Sequence, residues 1–543
     1  MKAFAELYRQ LDETTKTNRK VAAMVDYFRQ VDPACGGWAV YILSGRKLSR
    51  MLPPSQLRGW ASSSAGVPPW LFEESYSNVG DLAETISLLV GSQATQTKGS
   101  LADWVDHVEQ LGKLPLDQRP QRLHQLWQQL GPDERFLFAK LITGSLRVGV
   151  SRQLVTRALS TAFEIPIQQI AHRLMGKFTP TADHYAKLID PTFVDEDLTR
   201  PYPFCLAHAY KETGDDLFEQ RRSLTDYFAE WKWDGIRAQL IRRRQETLIW
   251  SRGEERIEDR FPELAEAAKQ LPDGCVLDGE LLAWKHDLPL GFLELQRRIN
   301  RKAITKKLMQ QVPVRFIAFD VLEYAGDDFR SQPFVARRQV LERIFSNLLS
   351  NDNDNNNDND FLLMLSQVVS ANDWDELAAI QKEARHRGAE GLMLKSVTSP
   401  YEAGRVRGVW WKWKIDPLTI DAVLMYAQRG HGRRSNLYSD YTFGLWDNGN
   451  LVPFAKAYSG LTDAEIRLVD RFVRENTQDK FGPVRSVSPK LVMELAFENV
   501  QLSKRHKSGV AVRFPRIIRW RQDKHPPDAN QLDELKQWVQ AHG

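Results

Sequence analysis

Apolar positions recur three and four residues apart over 21–28, 82–89, 101–111, 122–130 and 135–141, the period of a helix with one buried face. The first two hundred residues are therefore expected to be all-α. Over 188–204 the sequence LIDPTFVDEDLTRPYPF carries three prolines and no helical period, which predicts a linker and a boundary near Pro201. From Leu224 the period shortens to two. Ile236, Ala238 and Leu240 alternate with Arg237, Gln239 and Ile241, and β-type runs follow at 276–284 and 314–324. Helical segments at 262–271, 334–349 and 373–386 interrupt them, so residues 201–417 read as an α+β domain. After Pro417 come five short strands, at 418–427, 441–446, 451–457, 492–500 and 513–521, with one helix between them at 463–475. That set is what a small Greek-key barrel of the OB-fold type needs, over 418–543. The tract NDNDNNNDND at 351–360 has nothing to bury and is expected to be an inserted surface loop.

Length agrees with several units, since 543 residues at about 150 per domain give three or four. Hydrophobic residues at 42% and charged residues at 27% are globular values and exclude a largely disordered chain. No apolar run reaches the roughly 18 residues a membrane span requires, and the N-terminus lacks a basic-then-apolar leader. A cytosolic protein with no membrane association is expected. Cys35, Cys205 and Cys275 are too few for a four-cysteine zinc site and are expected to be packed thiols. The net charge of +4 says little about partners. The basic residues are concentrated, however: Lys504, Arg505, Lys507, Arg513, Arg516, Arg519, Arg521 and Lys524 face a single acid, Asp523.

Common nucleotide devices are missing from the sequence: neither a G-x-x-x-x-G-K-[ST] loop nor a G-x-G-x-x-G turn occurs. The candidate that remains is Lys232-Trp233-Asp234-Gly235-Ile236-Arg237, at the junction of two expected strands. A lysine is an uncommon nucleophile, because with an ordinary pKa of about 10.4 only roughly one amine in 2,500 is neutral at pH 7. Partial burial among Trp231 and Trp233, with positive charge from Arg237 or a metal nearby, would free the lone pair. Asp234 and Gly235 suit a tight turn that brings backbone close to a ligand. By itself this motif would also fit an exposed lysine beside a strand turn.

It does not stand by itself. In fixed order follow Ser251-Arg252-Gly253-Glu254, Leu277-Asp278-Gly279-Glu280-Leu281, Ala318-Phe319-Asp320, Ala389-Glu390-Gly391-Leu392-Met393-Leu394-Lys395, Trp411-Lys412-Trp413-Lys414 and Val512-Arg513-Phe514-Pro515-Arg516. With these the chain resembles the covalent nucleotidyltransferases and, among them, the ATP-dependent DNA ligases; the ending RFPRIIRWRQDK is similar to the ligase version. Gly80 to Thr85 and Leu141 to Val150 resemble segments of the helical DNA-binding domain of large ligases, so nearly the whole chain is covered. Gly253 stands where many relatives have Asn.

The resemblance implies a bacterial three-domain enzyme: a helical DNA-binding domain (1–200), an adenylation domain (201–417) and an OB-fold domain (418–543). It implies ATP and Mg2+ as cofactors and nicked duplex DNA as the partner, handled by a monomer in the bacterial cytosol. Lys232 would attack the α-phosphate of ATP, pass AMP to the 5′-phosphate of the nick, and leave the 3′-hydroxyl to displace it. Phe319 would stack on adenine, with Glu230 near its exocyclic amine and Arg252 and Glu280 near the ribose; Arg237 completes the nucleotide-binding set. Glu390 and Glu280 offer the hard oxygens Mg2+ prefers. Lys412 and Lys414, two apart on a strand, share a face and both reach the α-phosphate. Arg513 and Arg516 would orient the pyrophosphate. Lys504, Arg505, Arg521 and Lys524 in the barrel, with Arg147 and Arg152 in the helical domain, would meet DNA phosphates, giving sequence-neutral binding that weakens with salt. An RNA ligase or a capping guanylyltransferase shares the lysine motif but needs neither the helical front nor this ending. A non-catalytic nucleic-acid binder is the third alternative. An NAD-dependent ligase is disfavoured for want of its zinc module.

Overall fold

A computed structural model describes residues 1–46, 48, 52–91, 94, 98–144, 146, 148–176, 178–193, 199–210, 223–285, 288–301, 303–351, 362–430, 437–481 and 484–542. Arg147 and the tract at 352–360 lie outside the described residues. An N-terminal helical region, a central α+β region and a C-terminal β region of OB type succeed one another along the chain. By contact the chain divides into two compact units: Met1–Arg9 with Lys47–Val148 and Asp416–Gly543, and Gln10–Arg46 with Gly149–Ile415.

The helices begin and end where local chemistry dictates. Thr17–Gln30, Leu82–Leu89, Leu101–Lys113, Arg119–Gln128 and Pro132–Thr143 realise the helical periods of the front region. Ser100 caps the third of these with a reciprocal bond to Asp103, and Gly144 ends the last in the left-handed conformation. Further helices, such as Pro33–Leu43 and Pro54–Ala65, open on prolines and are less periodic because they bury small residues.

The longer strands of the central region, in the second unit, are β1 (Tyr227–Trp233), β2 (Ile236–Arg243), β3 (Glu246–Ser251), β4 (Cys275–Lys285), β5 (Val314–Tyr324), β6 (Leu363–Leu365), β7 (Ala389–Ser396) and β8 (Trp410–Lys414). One sheet runs β6-β5-β4-β2-β3 and the other runs from His208–Ala209 through β8 and β7 to β1. Each sheet has its own core: Leu240, Leu277, Phe316 and Val321 with the helix Phe334–Asn351 on the first, Trp231, Leu392, Leu394, Trp411 and Trp413 on the second. All three thiols are buried.

In the first unit the barrel strands Leu418–Arg429, Tyr438–Asp447, Asn450–Ala457, Val492–Phe497 and Arg516–Trp520 close on Leu424, Phe443, Leu445 and Leu495, with the helix Asp463–Glu475 against them. Two expected strands are broken. The run at 492–500 divides after Phe497, and that at 513–521 divides at Phe514, which sits at φ 52 before a proline that has no N–H for a ladder. Strands Thr477–Phe481 and Val484–Val487 and the helix Leu532–His542 add elements that the hydrophobic pattern did not announce.

Candidate active site

The turn Asp234–Gly235 joins β1 of one sheet to β2 of the other, so the residue two before it, Lys232, stands where the sheets meet. A Cβ on Gly235 would lie 2.3 Å from the carbonyl oxygen of Leu281, which explains why the lysine motif needs glycine there. The Gly235 N–H donates to Glu280 Oε1 at 3.2 Å, tying the turn to β4.

Opposite Lys232 the pairing of β1 with β7 slips: Ala389 faces Trp233 and Leu392 faces Trp231, leaving Glu390 and Gly391 as a bulge. Bulges re-aim side chains. Here the result is an ion pair, Lys232 Nζ to Glu390 Oε2 at 2.5 Å, with Lys414 Nζ 3.3 Å from the same oxygen. Gly391 adopts φ 135, and a Cβ there would lie 2.0 Å from the Trp413 carbonyl oxygen. Lys414 pairs with Gly391 in register and Lys412 with Met393, so both lysines face the same side as the bulge. Trp410, Trp411 and Trp413 are buried while Lys412 and Lys414, on the same strand, are half-buried, which makes β8 a wall with a cationic face.

The electrostatics follow from this crowding. Burial alone would raise Glu390, but the Lys232 and Lys414 ammoniums outweigh it and hold the carboxyl below its ordinary value. Burial pushes Glu280 up to about 7; Lys232 and Arg237 pull it back, while Asp278 and Asp234 add to the rise. Burial, reinforced by Lys414, Arg405 and Lys232, lowers Lys412. Four cations and four carboxylates thus act on one another around Lys232, a charge density that suits a polyphosphate.

The other expected residues are placed differently. Arg237 makes two bonds to Asp278, Nε to Oδ1 at 3.1 Å and Nη2 to Oδ2 at 2.6 Å, and a third from Nη1 to the Cys205 carbonyl at 2.6 Å. Its guanidinium lies over the rings of Phe204, Phe319 and Trp410. Arg237 therefore holds β2, β4 and the segment at Cys205 together. Arg252 is exposed, its N–H bonded to the Arg237 carbonyl at 2.9 Å. Glu230 is 2% exposed, with Arg338 Nη1 3.0 Å from one oxygen and Lys395 paired with the other. Phe319 is half-buried and edge-on to Trp410. Arg152 is ion-paired with Glu254, which also lies 3.8 Å from Arg46. In the barrel, Arg516 bonds Glu498 at 2.9 Å, Arg513 lies over the Phe514 ring, and Arg521 and Lys524 both reach Asp421, at 2.9 and 2.6 Å. Lys504 and Arg505 are exposed in the turn between Asn499–Leu502 and Val510–Arg513.

Lys395, Arg338, Asp278 and Arg405 were not singled out as site residues by sequence. Lys395 closes one of the quoted motifs, and its spacing of two from Met393 on a strand was a usable signal. Arg338 lies in an ordinary helix and gave none. Among the described residues no group of three or more His, Cys, Asp or Glu side chains is placed to hold a metal. A site of one or two carboxylates completed by substrate phosphates and water is the arrangement Mg2+ favours, and Glu390 and Glu280, which both act on Lys232, are the carboxylates that could belong to it.

Comparison with known proteins covers the chain end to end. The family model described as ATP dependent DNA ligase domain matches residues 205–414; those described as DNA ligase N terminus and ATP dependent DNA ligase C terminal region match 1–160 and 434–524. A protein of Koribacter versatilis called probable DNA ligase is 31% identical, over 99% of this chain and 96% of its own. DNA ligase 1 of Korarchaeum cryptofilum is 28% identical over 99% and 98%. The solved structure described as Pmar-Lig_PreS3 superposes over 95% of this chain and 99% of its own, with a TM-score of 0.60 at 15% identity.

Proposed function

Because the chain belongs to the ATP-dependent DNA ligases, we propose that Lys232 is the group that carries AMP from ATP to the nick. The enzyme seals nicks in duplex DNA with ATP and Mg2+, through a lysine-bound adenylate, transfer of AMP to the 5′-phosphate and attack by the 3′-hydroxyl. In the first transfer Lys232 Nζ forms a P–N bond to the α-phosphorus while the bond to the β-phosphate oxygen breaks and pyrophosphate leaves. In the second, a 5′-phosphate oxygen displaces the lysine and the P–N bond breaks. In the third, the 3′-oxygen attacks the 5′-phosphorus and AMP leaves.

One observation carries this reading: the Lys232 amine is fixed 2.5 Å from Glu390 and shares that carboxylate with Lys414. Such positioning removes the freedom a flexible lysine would otherwise lose at each turnover. Lys414 and Lys412 would neutralise the α-phosphate oxygens. Glu390 and Glu280 would hold the metal, which spreads the charge of the phosphates when bound. Phe319 would stack on adenine, Glu230 accept from its amine, and Arg252 meet the ribose. Arg237, held by Asp278, lies over the Phe319 ring and accepts the Arg252 N–H at its carbonyl. Arg513 and Arg516 would orient pyrophosphate, and Lys504, Arg505, Arg521, Lys524, Arg147 and Arg152 would meet DNA phosphates. Segments 1–200, 201–417 and 418–543 serve as the DNA-binding, adenylation and OB modules of a monomer acting in the cytosol. No helix among the described residues is long and apolar enough to cross a membrane.

Incubation with labelled ATP and Mg2+ tests the assignment. Wild type should form an acid-labile, protein-bound adenylate, and K232A should form none. An adenylate on K232A would overturn the role of Lys232. Sealing of a nicked duplex with ATP but not NAD, and its loss when an RNA strand or GTP replaces the DNA or ATP, separates this reading from its relatives.

A further inference from the structure

The strand that carries Glu390 also carries a buried cation to which the three transfers assign no role. Lys395, on β7, is 1% exposed. Burial pulls its ammonium below the ordinary lysine value and Glu230 opposes that shift. Its neighbours are specific. Nζ pairs with Glu230 Oε2 and donates to the Phe319 carbonyl oxygen at 3.0 Å. It stands 4.3 Å from the Phe319 ring centroid, 4.6 Å from that of Trp410 and 4.9 Å from that of Phe334. The second oxygen of Glu230 is held by Arg338 Nη1 at 3.0 Å, and Arg338 is anchored in turn on the Ser366 carbonyl and Glu342. A buried ammonium over aromatic faces is stabilised without directing anything; one bonded at once to a carboxylate and to a backbone oxygen fixes the angle between them.

We infer that Lys395 is a positioning residue for purine recognition: a single ammonium sets the plane on which the base stacks, Phe319, against the carboxylate that reads its edge, Glu230. The inference rests on the nucleotide roles proposed above for Phe319 and Glu230. Adenine offers an amine to that carboxylate, and guanine offers an oxygen, which a carboxylate repels. A buried acceptor held by two cations cannot turn away to relieve the repulsion, so selection of the base depends on Lys395 as well as on Glu230.

The test compares enzyme adenylation by ATP and by purine riboside triphosphate, which lacks the exocyclic amine, in wild type, K395M and K395R. Urea unfolding of each variant shows that it is folded and serves as the control. Wild type should prefer ATP by about tenfold or more in kcat/KM, the usual consequence of losing one hydrogen bond to a charged group. K395M should raise KM for ATP and bring that preference close to unity; K395R should recover part of the preference. A K395M that keeps the wild-type preference overturns the inference and leaves the ligase assignment intact. Absence of adenylate on wild type would instead overturn that assignment. If K395M does not fold, K395Q is measured in its place, since it keeps a donor to the Phe319 carbonyl; failure of both to fold would make Lys395 structural and overturn the positioning role.

Discussion

Gly391 shows how much of the site depends on one residue without a side chain. Its φ of 135 is a conformation other residues rarely adopt, and the Trp413 carbonyl occupies the place of a Cβ. The bulge that aims Glu390 at Lys232 exists because β8 can approach there. G391A should cost about 1–3 kcal/mol from backbone strain alone and displace Glu390, so adenylation should fall more steeply than the unfolding midpoint. Denaturant unfolding alongside adenylation rates checks this, and a G391A with wild-type adenylation would refute it. The same residue marks what could be read in advance. Lys232, Glu390, Lys412 and Lys414 were legible because each lies in a short motif whose residue types suit phosphate chemistry, and these four do converge. The partners of Arg237 were not. The sequence offers a cation five residues after the lysine, but whether it faces a ligand or a carboxylate depends on the register of β2 against β4, which places Asp278 within reach.

Strand pairing therefore decides roles at the next scale. Asp278, fully buried, receives Arg237 and the Tyr401 hydroxyl, and so joins β2, β4, the segment at Cys205 and the loop before β8. Burial alone would lower the Arg237 guanidinium; Asp278 and Tyr401 outweigh it and hold it above its ordinary value. Removing one partner of such a pair leaves a charge buried and alone, which typically costs about 3–5 kcal/mol. D278N should accordingly destabilise the protein by about that amount in urea unfolding while keeping Lys232, Glu390 and Lys414 chemically intact. A change under about 1 kcal/mol would mean that water or another acceptor serves Arg237. Elements long enough to show a period, such as β5 and the helix Asp463–Glu475, could be read to the residue. Those set by a local backbone event could not be read so closely: Pro515 marks a break, but the phenylalanine before it does not advertise the positive φ it adopts.

Over the whole molecule the charges nearly cancel, at a net +4, yet the proposed contacts with DNA are cationic. Affinity for a phosphate backbone follows the number of ion contacts made, not net charge, and each contact on duplex DNA adds about 0.9 to the slope of log affinity against log salt. The basic residues of the barrel fall into two groups by this measure. Lys504 and Arg505 are exposed in a turn, with no ion pair among the described residues, so they can exchange water and counterions for phosphates directly. Arg521 and Lys524 already share Asp421, and Arg521 is bonded to Asp523 as well, so a phosphate must compete with carboxylates for them. Neutralising the first pair, in K504A/R505A, should reduce the salt slope of nick binding by about 1.8 and leave adenylation by ATP unchanged. Neutralising the second should change the slope less, because releasing Asp421 offsets part of what is lost. Titration of a nicked duplex at several salt concentrations measures both slopes. Equal slopes for the two variants would mean that the pairs with Asp421 open fully on DNA, and an unaltered slope in K504A/R505A would remove that turn from the interface.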